Sequence, residues 1–496
     1  MFTPAFLKGE TWGLPGQPVE HVETHAAHVF LVGERAFKIK KDVRLPYLDF
    51  SSPDKRRAAL AAELEINRLF TPGLYLAVDE VLAEPVLVMR RFPAHDLLAW
   101  RMAHGGIDAA LSARLAAMVA ASHDRAPRSD ARGSDIMTGL GAQLSRAFID
   151  SPDIFRPADT LEFHALCEAA LRSDRQLLSD RSGRGLVRRC HGDVHCGNIF
   201  LEDGEPRLFD AIEFSEKIAT IDVLYDLAFL LMDLWSSGEK PTANIVLNRY
   251  LHLRRKEEDL SGLSLLPLFL STRAGVRALV TADLAHELAL KNSMRSRGQA
   301  LDWFRSCVKY LKVPPPKLLC IGGLSGAGKS AAAAALAPFL GAVPGAIHVR
   351  SDVERKVLAG VPETARLPVE SYSRQASSEV YAACLARAEK ALAAGHSVLL
   401  DAVFARPDER RAAAELARRT RAHFAGVWLE APTDVLAARV AARSGDASDA
   451  TPGVIETQLR YDLGRMDWPR VDAGGTLPET LARIRGTVPY RFDGPA

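Results

Sequence analysis

Leu318-Leu-Cys-Ile-Gly-Gly323, continued by Leu324-Ser-Gly-Ala-Gly-Lys-Ser330, decides how the second half of this 496-residue chain folds. Four consecutive apolar residues read as a buried strand, and the alanine-rich run after Ser330 reads as a helix. Between them Gly323, Gly328, Lys329 and Ser330 complete the pattern G-x-x-x-x-G-K-S. That pattern is a phosphate-binding loop when a strand precedes it and a helix follows. The glycines let the backbone curl so that amide N–H groups face a phosphate, and the helix N-terminus adds its positive end. Ser325, Gly326, Ala327 and Gly328 are therefore expected to line the nucleotide. Lys329 is expected at its β- and γ-phosphates and Ser330 at Mg²⁺. ATP and Mg²⁺ are the implied cofactors.

Working outward, strand and helix patterns alternate to Arg443: Ala346–Arg350, Val369–Ala394, Ser397–Leu400, Pro407–Arg421, Ala425–Glu430 and Thr433–Arg443. Such alternation predicts a parallel sheet covered by helices. Asp401 ends one apolar run and suits a contact to Mg²⁺ or its water. The next residues are Ala402 and Val403, so the acid that polarises water in a hydrolytic motor is missing. Asp352 follows another strand, where a carboxylate can take the proton of an acceptor hydroxyl. The alternative for Asp352 is a helix N-cap, a place Ser351 could equally take. Arg439 and Arg443 stand four apart on one helical face, either as lid cations over a transferring phosphoryl group or as a solvated basic face. SDVERK at 351–356, LLDAVF at 399–404 and RSGDASDAT at 443–451 resemble the P-loop kinases of the zeta-toxin, gluconate-kinase and polynucleotide 5′-hydroxyl-kinase group. The resemblance runs from Lys317 to the C-terminus. It implies that Asp352 is the acceptor-side base and Arg355 a substrate contact.

Upstream, Lys312-Val-Pro-Pro-Pro-Lys317 cannot continue a helix and stiffens the chain into an extended connector. The expected domains are residues 1–312 and 317–496. The first opens with strand runs at His28–Val32 and Arg35–Lys40 around a Gly33-Glu34 turn, a helix near Pro53–Phe70, and short strands near Val78–Leu82 and Pro85–Arg90. Mostly helical sequence follows, interrupted by a strand–loop–strand segment at Leu186–Phe214. A small strand-rich lobe before a large helical lobe predicts a bilobal, kinase-like α+β domain. The fold class is thus multidomain α/β.

Within the interruption lies His191-Gly-Asp-Val-His-Cys-Gly-Asn198, followed by Leu208-Phe-Asp210. Asp193 is placed to orient or deprotonate a substrate hydroxyl, and Asn198 and Asp210 to hold metal ions that bridge phosphates. Asp-Ala-Ile-Glu stands where protein kinases have Asp-Phe-Gly. These strings resemble the aminoglycoside-phosphotransferase family over residues 24–233. By that resemblance Lys38 is the small-lobe lysine, with Lys40 as second choice on the same strand face, and Glu63 is its ion-pair partner. No glycine-rich loop precedes Lys38; the corresponding turn is Glu23-Thr-His-Ala-Ala27. Asp222 and Asp226 are expected to brace the catalytic loop. Cys190, His191, His195 and Cys196 offer a competing zinc reading, although structural zinc favours spaced pairs. His21, His25, His28 and His348 read as core or surface histidines. The order of modules resembles bacterial fusions of an aminoglycoside-phosphotransferase-like domain with a P-loop kinase.

Net charge is +2 with 63 basic and 61 acidic residues, which supplies no general attraction to nucleic acid or anionic membrane. No signal peptide or membrane-spanning helix is expected, and six cysteines form no disulfide framework, so a cytoplasmic location is expected. These readings converge on two ATP·Mg²⁺ sites, each phosphorylating a hydroxyl on a small molecule. Two alternatives stay open: a regulator in which one nucleotide domain gates the other, and a toxin-type kinase of sugar nucleotides or nucleic-acid ends.

Overall fold

The structure, a computed structural model, describes residues 3–24, 26–45, 48–287, 290–442 and 446–492. The chain divides into two compact units. One comprises Met1–Ala142 and Arg175–Thr242, the other Gln143–Asp174 and Ala243–Ala496.

In the first unit, β1 (Val19–Glu23), β2 (Ala27–Val32), β3 (Arg35–Lys40), β4 (Tyr75–Val81) and β5 (Glu84–Arg90) form an antiparallel sheet of order β1-β2-β3-β5-β4. The hairpin predicted at Gly33 is present, and Gly33 takes φ +53°, which costs glycine nothing. The predicted helix is α1 (Pro53–Arg68). Ser52 caps it by accepting from Lys55 N, and Pro53 holds the first turn. Sequence patterning missed β1, whose residues alternate only weakly between buried and exposed.

The remainder of this unit carries the segment that matters for chemistry. Short strands β6 (Val187–Arg189), β7 (Ile199–Glu202), β8 (Glu205–Leu208) and β9 (Thr220–Asp222) pair as β6 with β9 and β7 with β8. Helix α2 (Val223–Ser236) follows, buried over nearly its whole length. Its cap is Asp222, which accepts from Leu224 N at 2.8 Å and is gripped bidentately by Arg181 at 2.7 and 2.7 Å. Both partners are almost fully buried.

The second unit holds a five-stranded, wholly parallel sheet: β10 (Lys317–Gly323), β11 (Ile347–Arg350), β12 (Val398–Asp401), β13 (His423–Glu430) and β14 (Arg470–Asp472), in the order β11-β12-β10-β13-β14. β10 is central, and Leu318 to Ile321 have no solvent exposure, as the unbroken apolar run requires. The predicted alternation is present, with one change. The helix expected over Val369–Ala394 runs over Arg374–Ala393 and is preceded by a separate short turn at Val369–Tyr372. β14 and the helix Leu477–Thr487 were not anticipated, although Thr476 and Glu479 form a capping box that announces the helix. Helix α3 (Lys240–Arg254) places Asn244 to Arg254 in this unit, and α4 (Lys329–Leu336), α5 (Ser351–Leu358) and α6 (Thr433–Ala441) complete the elements used below.

One stretch of the described residues, 257–285, is long and apolar enough to cross a membrane, and 67% of its most apolar window is buried inside the protein. All six cysteines are buried, and none is joined in a disulfide.

The Arg181–Asp222 pair generates a prediction. Removing one partner strands the other charge in a dry interior, so Arg181→Ala is expected to destabilise the first unit by about 3–5 kcal/mol. A urea titration followed in this unit checks it; a loss below about 1 kcal/mol would match a solvent-exposed pair instead.

Candidate functional sites

In the first unit, β3 turns Lys38 and Lys40 to one face, as residues two apart on a strand must be. Glu63 of α1 lies between them with no solvent exposure. Its Oε1 is 2.7 Å from Lys38 Nζ and its Oε2 is 2.7 Å from Lys40 Nζ. The two lysines that compete for one role in the sequence thus share one carboxylate. Each then reaches a second acid, Lys38 to Asp210 Oδ1 at 2.7 Å and Lys40 to Glu213 Oε1 at 2.6 Å. Glu213 is the last residue of Asp-Ala-Ile-Glu, and its part in this network was not legible from the string.

Asp210 takes φ +61°, a left-handed conformation that acidic residues tolerate better than most. Tyr75 Oη accepts from Asp210 N at 2.9 Å, and Asn67 Oδ1 accepts from Ala211 N at 2.8 Å. Asn67 donates in turn to Glu63 O at 3.0 Å. Burial opposes the charge of Asp210, but the Lys38 ammonium beside it holds the carboxyl down at about 2. Burial also works against the charge of Lys38, and Asp210 and Glu63 overcome it, holding the ammonium well above its ordinary range.

The catalytic-loop string is fixed from beneath. Asp226 Oδ1 accepts from Gly192 N at 3.0 Å and Asp233 Oδ2 from Cys196 N at 2.9 Å, both from α2. Asp226 therefore braces the loop as expected, whereas Asp222 acts on the helix cap. Asn198 Nδ2 donates to Asp193 Oδ2 at 2.8 Å, so the expected base and the expected metal ligand are neighbours. His195 Nδ1 accepts from Gly197 N, which leaves the ring proton on Nε2, 3.4 Å from Asp193 Oδ2. His191 donates from Nε2 to Phe209 O at 3.0 Å, and burial holds its pKa below the ordinary value. Among the described residues, the metal-type group whose ligand atoms lie within 4.8 Å is His123, Cys190 and Asp226, so only Cys190 of the zinc-type string belongs to it.

In the second unit the loop between β10 and α4 has the backbone its glycines permit. Gly323, Gly326 and Gly328 take φ +142°, +85° and +89°. A Cβ on Gly323 would lie 2.6 Å from Leu429 O, and one on Gly326 2.5 Å from Leu436 O, so neither position accepts a larger residue. Gly328 caps α4, whose first residues are Lys329 and Ser330. The first amides of that helix lack intrahelical acceptors, which is the donor set a phosphate needs. Ser325 N donates to Gln458 Oε1 at 2.8 Å, and Ala327 N to Leu324 O at 3.1 Å. Lys329 Nζ donates to Leu324 O at 3.1 Å. Glycine cradle, lysine and hydroxyl together fit a nucleotide with its Mg²⁺.

Parallel pairing sets Arg350 beside Asp401 at the C-terminal ends of β11 and β12. Asp401 is buried, with His348 Nε2 at 3.8 Å and Arg350 Nε at 3.9 Å. Burial raises its pKa, while His348, Lys329 and Arg350 pull it down to about 2. Asp352 sits on the first turn of α5, yet the cap residue is Arg350, and neither Ser351 nor Asp352 caps. Burial and the neighbouring Asp401 charge push the pKa of Asp352 up, against Lys329 and Arg350. A carboxyl at the tip of β12 and one on the first turn after β11 are thus driven in opposite directions.

Arg439 lies by the loop, its guanidinium 3.9 Å from where a Cβ of Gly328 would stand. It donates to Ala473 O at 2.8 Å and Gly475 O at 2.7 Å. Arg443 lies outside the described residues. Arg355 donates to Ser371 O at 2.6 Å and stacks 4.6 Å from the Tyr372 ring. Asp449 ties this segment down, accepting from Leu367 N, Tyr372 Oη and Lys356.

Residues 32–264 match the model of the phosphotransferase enzyme family, and residues 318–462 match an AAA domain model. Over 487 residues the chain is 31% identical to uncharacterized proteins of Mycobacterium tuberculosis and Mycobacterium bovis, covering 93% of this chain and 93% of each of theirs. Among solved structures, a choline/ethanolamine kinase family protein from Mesorhizobium loti aligns at 17% identity and TM-score 0.40, over 60% of this chain and 89% of that one. A gluconokinase from Sinorhizobium meliloti aligns at 23% identity and TM-score 0.24, over 34% and 89%. Resemblance along nearly the whole length places the chain in one family with the mycobacterial proteins, and its own matches make it an ATP-dependent kinase in which an aminoglycoside-phosphotransferase-like domain precedes a P-loop kinase-like domain.

Proposed function

We propose that the protein is a bifunctional phosphotransferase whose two sites each move the γ-phosphoryl group of ATP to a hydroxyl on a small molecule. One observation carries this: each compact unit holds its own nucleotide-type cations and its own buried or braced carboxylates. Mg²⁺, when bound, would offset the charge of the phosphates. Asn198 and Asp210 would hold it in the first unit, and Ser330 and Asp401 in the second.

In the first unit, Lys38 is aimed by Glu63 and pairs with phosphate oxygens. Asp193 takes the acceptor proton, its carboxylate oriented by Asn198 and His195. In the second unit, Lys329 and the amides of α4 hold the phosphates, Asp352 takes the acceptor proton, and Arg439 lies beside the loop as a cation for the charge that spreads in transfer. The raised pKa of Asp352 makes it a stronger base than an ordinary carboxylate. The missing acid after Asp401 disfavours water as the normal acceptor.

Three outcomes follow from this reading. Isothermal titration with Mg·ATP is expected to find two nucleotide sites per chain, and one in Lys329→Ala. A single site unaffected by that change would remove the two-site reading. In the full chain carrying Lys329→Ala, Asp193→Asn is expected to keep nucleotide binding yet lower γ-³²P transfer into small molecules of a cell extract by about 10²-fold or more. Full transfer by Asp193→Asn would show the base is elsewhere.

The third concerns pH. Asp352 must be deprotonated to act, and burial beside Asp401 raises its pKa. Turnover at the P-loop, measured with Asp193→Asn silencing the other site, should therefore rise with pH. Its acid limb should lie above the ordinary carboxylate range. Asp352→Asn should abolish the limb along with the activity. A limb at the ordinary carboxylate position would assign the base to an exposed acid.

A further inference from the structure

The parallel sheet of the second unit ends at β11, and an edge strand presents unpaired N–H and C=O groups. Here they are met by side chains of α3. Asn244 Nδ2 donates to Pro344 O at 3.0 Å and to Ala346 O at 3.0 Å. Asn248, one turn later, donates to Ala346 O at 3.2 Å and accepts from His348 N at 2.8 Å through Oδ1. Asn248 Nδ2 also lies 3.2 Å from Asn244 Oδ1. Donor and acceptor alternate as they would on a neighbouring strand, so two asparagines stand in for a sixth strand.

The strand they fix is the one that serves Asp401. Ile347 and Val349 of β11 point into the core, and His348 and Arg350 occupy the other face. From that face come the contacts to Asp401, and Asp352 follows two residues after Arg350. A second link runs from the next residue of α3. Arg249 donates to Glu363, whose other oxygen lies 3.9 Å from Arg350 Nη1. His252 Nε2 is 3.9 Å from the same carboxylate, and Arg255 reaches both oxygens of Glu354 on α5 at 2.9 Å. Four positions of one helix and the residue just after it thus contact the strand that leads to Asp352, the helix that carries it, and Glu363 beside them. All lie in the unit that contains the P-loop. Yet residues 240–254 fall inside the match to the phosphotransferase model and outside the AAA match, which begins at residue 318.

We infer that Asn248 and Arg249 are positioning residues for the P-loop site. Asn248 sets the backbone from which His348 and Arg350 reach Asp401, and Arg249 holds Glu363 against Arg350. The inference rests on the reading of the second unit as a phosphotransferase site. It adds that this site is completed by a helix lying beyond the P-loop match.

The test uses the full chain in an Asp193→Asn background, with Mg·[γ-³²P]ATP as the probe and phosphate release as the readout. Asn248→Ala and Arg249→Ala should each lower kcat about tenfold, the scale of sub-ångström misplacement of reacting groups. KM for ATP should stay near the parent value, because neither residue touches the glycine cradle. Arg249→Lys should recover part of the loss. Arg249→Ala combined with Glu363→Gln should lose no more than the larger single change, as partners in one link do. Asn248→Asp, which keeps the acceptor for His348 N, serves if Asn248→Ala fails to fold. Unchanged kcat in folded variants, or a fall in Tm with kcat intact, would reduce these residues to scaffold. Phosphate release that persists in Lys329→Ala would remove the P-loop reading itself, a result distinct from either.

Discussion

Glu63 places a carboxyl group where no solvent reaches it, and the first unit is arranged around that fact. A buried carboxylate is tolerated only when cations and donors replace the lost solvent. Two lysines on alternate positions of β3 supply them, one to each oxygen. Neither lysine stops there, since Lys38 continues to Asp210 and Lys40 to Glu213. Strand, helix and the segment from Asp210 to Glu213 are therefore coupled through a single side chain. The coupling is doubled by Asn67, one turn along α1, which joins Glu63 O to Ala211 N. Withdrawing α1 would take the shared carboxylate from both ammonium groups at once, leaving each with its second acid alone. That cost favours a site standing assembled before substrate arrives, with Lys38 already aimed. It also explains how Asp210 is kept in a left-handed backbone conformation that no glycine relieves.

The second unit meets the same problem with different parts. Here the nucleotide-facing charge is mostly backbone, because glycines at 323, 326 and 328 expose the amides of a helix start. The carboxylates are the groups at risk of losing charge. Asp401 keeps its charge because His348, Lys329 and Arg350 surround it, whereas Asp352, on the first turn of α5, is pushed toward protonation by burial and by that charge. Burial and one negative neighbour together raise the basicity of Asp352. The pairing of β11 with β12 sets Arg350 beside Asp401, and the first turn of α5 brings Asp352 near them.

How much of this was legible in the sequence follows from how local each signal is. The glycine pattern, the catalytic-loop string and the apolar run of β10 are contiguous, and each specifies its own backbone, so strand, loop and helix stood where they were expected. Lys38 and Glu63 were found because a resemblance supplied the pairing, but nothing in the string said that Lys40 shares Glu63. That sharing depends on strand pleat and helix position together. Glu213 was seen as a departure from Asp-Phe-Gly and given no role, since its partner lies 173 residues away. Gln458, Tyr75, Asn67 and Asn248 were invisible for the same reason. A neutral side chain acting on a distant backbone group leaves no periodicity and no motif. The helix Leu477–Thr487 was the avoidable omission, because its capping box was in plain view.

The edge of the parallel sheet shows why motif and packing divide the chain differently. A parallel sheet needs its faces covered by helices, and its outer strands need partners for their remaining backbone groups. On one side β14 extends the sheet past β13, and Arg470 at its start pairs with Glu430. On the other side no strand follows β11 among the described residues, and α3 takes that place with amide side chains. An asparagine offers one acceptor and two donors, so it can bond an N–H and a C=O of the same strand, which neither an acid nor a base can do alone. Asn248 does this across His348 and Ala346, the residues that lead into the Asp401 contacts. The triple proline at 314–316 interrupts regular structure, but the groups that finish the P-loop sheet lie some seventy residues before it. The segment that carries the nucleotide motif and the segment that satisfies its sheet are therefore different lengths of chain, because hydrogen-bonding demand at an edge strand is met by whatever lies beside it in space.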